Sequence, residues 1–114
     1  MALMDLPEAD REVVWQCLRA IVQGEFIADV EFHARLGLSR AQIRALLASW
    51  PRINDRDDDS DACLALNNSM NEVCHGAAIK PREWQTWFTV PNDEVKAVFE
   101  RWARSRGWSV NGVR

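Results

Sequence analysis

Cys74 and His75 place a thiol beside an imidazole, the two groups that nucleophilic catalysis would require. On a helix, neighbouring side chains point about 100° apart, a poor geometry for passing a proton between them. His33 has no matching partner, and the 114 residues hold no HxxxH, HExxH, GxSxG or glycine-rich phosphate loop. The acidic run from Asp57 to Asp61 lacks the glycine and distal glutamate of a calcium loop. It reads instead as a solvated loop whose carboxylates favour the start of the next helix. Cys17, Cys63 and Cys74 are odd in number and without CxxC spacing, so they read as small buried hydrophobes in a reducing compartment. The expectation is a non-enzyme with no cofactor and no metal.

A second kind of chemistry is binding. Asn67, Asn68 and Asn71 crowd one helix, although Asn is a poor interior helix residue whose amide competes for backbone hydrogen bonds. Asn68, Asn71, Glu72 and His75 fall on polar faces opposite Leu66, Met70 and Val73. Together with Trp87 they form the candidate partner-binding surface, for another protein or a second copy of the chain. The competing expectation is that these side chains cross-link the body internally.

The elements that hold these residues emerge when the chain is slid along itself by 52 positions, laying Val13–Trp50 over Ala65–Trp102 without a gap. Eleven apolar pairs coincide, among them Leu18 with Met70, Ile43 with Val95 and Trp50 with Trp102. Each copy reads as three helices, so the expected fold is all-α: six helices in two pseudo-repeats, 1–52 and 62–107, joined by an acidic linker, 53–61, and followed by a tail, 108–114. Asp5 and Asp29 are expected caps of the first two helices, and Ser39 with Gln42 forms a capping box before the third. Ile43, Leu46, Leu47 and Trp50 should line its buried stripe. Ser60 or Asp61 starts the fourth helix and Pro81 the fifth, with Trp84 and Phe88 pointing inward. Gly24 and Gly76 should make the same left-handed reversal. Thr89 and Pro91 stand where the first copy has Gly37 and Ser39, so the corresponding turns should differ. Trp87 lies over Arg35 and should face either the seam between repeats or a partner.

The segment Phe32-His-Ala-Arg-Leu-Gly-Leu-Ser-Arg-Ala-Gln-Ile-Arg-Ala-Leu-Leu resembles the helix-turn-helix motif of DNA-binding proteins. That resemblance implies that exposed Arg40, Gln42 and Arg44 meet a major groove with Arg35 near a phosphate, assisted by the Arg101–Arg106 stretch. The second copy opposes a two-headed reader, because it carries Asn92, Glu94 and Lys96 at the matching places, beside Asp93 and Glu100.

Global charge gives DNA no support: 17 acids face 14 bases, and the net charge is −3. Positive charge does collect toward the C-terminus, at Arg101, Arg104, Arg106 and Arg114, while Asp55 to Asp61 read as a negative hinge. No apolar run follows Met1 and none is long enough to cross a bilayer. The sequence therefore points to a cytoplasmic binding, adaptor or regulatory protein, with DNA binding through the first copy as the alternative.

Overall fold

Proline and glycine punctuate the chain much as their backbone limits require. The computed structural model describes residues 3–108. Among them are six α-helices and no strand: α1, Glu8–Gln23; α2, Asp29–Leu36; α3, Arg40–Ala48; α4, Asp61–Asn71; α5, Pro81–Trp87; and α6, Asn92–Ser105. A 3-10 turn, Leu3–Asp5, precedes α1, and a π turn, Glu72–Gly76, continues α4. No helix of the described residues is long and apolar enough to cross a membrane.

The capping box forms as expected. Ser39 Oγ accepts from the Gln42 amide at 3.1 Å while the Gln42 side chain accepts from the Ser39 amide at 2.8 Å. Ser60 likewise caps α4, accepting from the Cys63 amide at 3.1 Å. Two expected caps fail. Pro7, not Asp5, occupies the N-cap of α1, and Ala28 that of α2, so Asp29 sits inside the first turn. Gly37 takes φ 77°, and a Cβ there would also come within 2.8 Å of Leu64. Gly24 and Gly76 do not take the expected left-handed reversal: Gly24 caps α1 at φ −83°, handing the positive φ to Glu25, and Gly76 ends the π turn.

Helix α1 is the hub, packed against α3, α4, α5 and α6. Val14, Leu18 and Ile21 line its buried stripe, facing Leu66 and Met70 of α4 in one continuous core with Val98, Phe99 and Trp102 of α6. The α3 stripe is shallower than expected. Ile43 is fully buried, but Leu46, Leu47 and Trp50 are only half-buried. The reason is placement: α6 lies against both α1 and α4, whereas α3 packs on α1 and α2.

Two residues of the expected acidic linker reach this core. Ile53 and Asp55 are buried, and the Asp55 carboxylate accepts from the Leu3 amide at 3.2 Å, from Trp102 Nε1 at 2.8 Å and from Arg106 at 3.3 Å. Asp58 takes the other side of Arg106 at 2.5 Å, while Asp57, Asp59 and Asp61 remain at the surface. Gly107, at φ 81°, follows α6 as expected, and Trp108 folds back edge-on against Trp102. The rest of the expected tail, 109–114 with Arg114, lies outside the described residues.

Candidate functional site

Several arginines in this protein tie distant segments together. Arg40, expected on an exposed DNA-facing surface, folds under the end of α1, donating to the carbonyls of Ile21, Val22 and Ile27 at 2.9–3.2 Å and to Asp29. Its guanidinium also lies 4.3 Å from the Phe32 ring centre. Arg35, expected near a phosphate, pairs with the buried Glu72, whose carboxylate raises the guanidinium's pKa and keeps it charged. Gln42 is exposed, but its carbonyl is engaged in the capping box. Arg44 alone of the four keeps the exposure expected of a groove reader without a capping or pairing role in α3 described above. Two arginines of the Arg101–Arg106 stretch are likewise engaged, since Arg101 grips Asp10 with two nitrogens and the Arg106 side chain is only 2% exposed, whereas Arg104 stays at the surface. A cation that already satisfies buried carbonyls and carboxylates cannot also meet a phosphate without breaking them.

The candidate partner surface divides in the same way. Asn68 donates to the Leu36 carbonyl at 2.8 Å, holding α4 to the end of α2. Glu72 holds Arg35, and Gly76 makes room for that pair, since a Cβ there would fall 2.4 Å from the Glu72 carboxylate. Trp87 sits edge-on to Phe26 at 6.0 Å, with the Arg19 guanidinium 4.9 Å from its ring centre. Arg19 also donates to the Thr86 and Trp87 carbonyls, binding the end of α5 to α1. These three residues therefore serve the seam between the halves of the chain. Asn71 is half-buried, and His75 is exposed.

His75 opens onto a groove that the residue pattern did not reveal. It has a volume of about 490 Å³ and lies between the π turn, the 77–80 connection, α5 and the start of α6. Val73, Ala77, Ile79, Pro81, Trp84 and Pro91 supply the apolar wall, and Cys74, His75, Gln85 and Asn92 the polar part. The π turn makes this wall: the Ala77 amide reaches back five residues to the Glu72 carbonyl at 2.6 Å, widening the last turn of α4. Trp84, expected to be inward like Phe32, is only half-buried. Its ring stacks on Phe88 at 4.2 Å, and its N–H donates to the Val90 carbonyl at 2.7 Å, so the indole meets the groove as apolar surface. The one sequence signal for this site was the exchange of Gly37 and Ser39 for Thr89 and Pro91, which leaves Phe88 extended after α5.

Burial pushes the Cys74 thiol up to about 11, against the lowering effect of Lys96. A rise of about two units from the ordinary thiol leaves on the order of 100-fold less thiolate at neutral pH, so alkylation of Cys74 by iodoacetamide should be slower by about that factor than in the unfolded chain. The rate should climb with pH until about 11; mass spectrometry of the labelled peptide checks both points. Among the described residues no group of three or more His, Cys, Asp or Glu could hold a metal ion.

No protein-family model, curated protein or solved structure matches the chain.

Proposed function

We propose that this chain is a non-enzymatic cytoplasmic binding or adaptor protein, built as two pseudo-repeats of a three-helix unit, which takes a short apolar segment of a partner protein in the groove beside the π turn. The groove's apolar wall around the half-buried Trp84 carries this reading. Aromatic side chains set in apolar clefts contribute disproportionately to protein association, and a cleft with a few polar groups at its edge suits an extended segment bearing an apolar anchor. The repeat is supported by the helix starts: α2 and α3 begin at Asp29 and Arg40, and α5 and α6 begin 52 residues later, at Pro81 and Asn92. Divergence of the second turn, with Pro91 for Ser39, coincides with the groove.

The test is selection of a displayed random-peptide library on the full chain, followed by anisotropy titration of the enriched peptides. Ala78 is exposed and lines the groove, so Ala78→Trp should fill it without disturbing the core. Enriched peptides should bind the parent chain and lose about tenfold or more in affinity to Ala78→Trp, with the melting temperature unchanged. Selection of no peptide, or peptides indifferent to Ala78→Trp, would overturn the reading.

A further inference from the structure

We infer that the segment seated in this groove is uncharged around its apolar anchor and is held by its main chain, through the side-chain amides of Gln85 and Asn92. The inference rests on the groove's being a peptide site and adds the chemistry of its occupant. Charged residues make up 27% of the chain, yet no Lys, Arg, Asp or Glu lines the groove. The charges nearest in sequence stand off the wall with both signs mixed: Lys80 and Arg82 are followed by Glu83, and Lys96 is preceded by Asp93. Glu72 is held by Arg35 and Glu94 by Arg101. A charged side chain beside the anchor would therefore lose water against Val73, Ile79 and Trp84 with no opposite charge in the wall to replace it.

The occupant's main chain needs donors and acceptors, and the groove's own backbone has few to give. Pro81 and Pro91 carry no N–H. Extended Phe88 begins the stretch where an added strand could pair, but the Thr89 amide donates to Gln16 at 3.2 Å and the Val90 carbonyl accepts from Trp84. The Ala77 amide is engaged by the Glu72 carbonyl. What remains is a pair of primary amides. Gln85 is exposed on α5, half-buried Asn92 opens α6, and among the described residues neither side-chain amide has a hydrogen-bond partner. Each offers donors and an acceptor, the complement of a peptide unit. They stand next in sequence to the wall residues Trp84 and Pro91, so an anchor seated on the indole brings its flanking peptide units toward them.

The same displayed library distinguishes this inference from the reading beneath it. Enriched sequences should carry a large apolar residue without Asp, Glu, Lys or Arg on either side, and raising salt from about 0.05 to about 0.5 M should change their affinity by less than about twofold. Gln85→Ala plus Asn92→Ala should weaken binding about tenfold or more, the loss of two main-chain hydrogen bonds. Gln85→Glu plus Asn92→Asp keeps the shapes and removes the donors, and should weaken binding as well. Neither amide holds another described residue, so the melting curves should stay as in the parent chain. Methylating the peptide's main-chain nitrogen beside the anchor should weaken binding to the parent chain several-fold and matter little to the double-alanine variant. Peptides that depend on the groove through Ala78→Trp, yet require a charge beside the anchor or bind both double variants as well as the parent chain, would overturn the inference while leaving the peptide site standing. Peptides indifferent to Ala78→Trp would remove both.

Discussion

Asp55→Ala is expected to lower the unfolding free energy by about 3–5 kcal/mol, the range for deleting one partner of a buried ion pair. The Asp55 and Arg106 side chains are 3% and 2% exposed, so neither lost interaction can be replaced by bulk water at little cost. Three donors converge on this carboxylate: the Leu3 amide, the Trp102 indole N–H and Arg106. Asp58 still holds the guanidinium from its other side, which places the effect toward the lower end of that range. Domains of this size are stable by roughly 5–15 kcal/mol, so urea denaturation should show the loss of a large part of the total. Trp102→Phe keeps most of the ring and removes the N–H. In a double-mutant cycle with Asp55→Ala it should show a coupling of about 1 kcal/mol. Asp57, exposed two residues later, is the control, and Asp57→Ala should change stability by less than about 1 kcal/mol. Equal effects at the two positions would mean that the 53–61 segment is the solvated linker its composition suggests.

Arg40→Ala should cost about 2–3 kcal/mol, because hydrogen bonds from a charged donor contribute more than neutral ones and three carbonyls lose their partner at once. Arg40→Lys should recover less than half of the loss. An ammonium cannot span the Ile21, Val22 and Ile27 carbonyls and Asp29 with one planar fork, nor stack as well over Phe32. Arg44→Ala, one turn further along and exposed, should stay within about 0.5 kcal/mol. Thermal denaturation of the three variants separates an arginine that closes the α1–α2 corner from one that reads DNA. If Arg40→Ala melted like the parent chain and abolished salt-sensitive binding to duplex DNA, the helix-turn-helix reading would be restored.

Local chemistry was legible before any coordinates. The Ser39 capping box, Pro81 at the first position of α5 and the 3.6-residue stripes of α1 and α6 each depend on residues within one or two turns of each other. Such features are set by backbone sterics and helical periodicity, which a sequence carries directly. The same reasoning identified Trp87 as a seam residue or a contact, since its position points away from the stripe of its own helix; the partners Phe26 and Arg19 decided for the seam.

Polar side chains were not legible in this way, because a charge on an outer helix face looks the same whether water or another helix lies beyond it. Asp10 and Arg101 are 91 positions apart, Leu3 and Asp55 52, and Arg35 and Glu72 37, so their pairing follows from how distant segments come together and not from any local pattern. The groove belongs to the same category. Val73, Ile79, Trp84 and Pro91 are ordinary apolar residues in sequence, and only the widened π turn and the extended Phe88 hold them apart enough to leave space. What the sequence determined by itself was therefore an all-helical chain with the starts of α3, α4 and α5 and the apolar faces of α1 and α6, since those arise from short-range geometry. The tertiary structure decided which charges became cross-links and where the surface stayed open, because burial and pairing exist only once distant segments have been brought together.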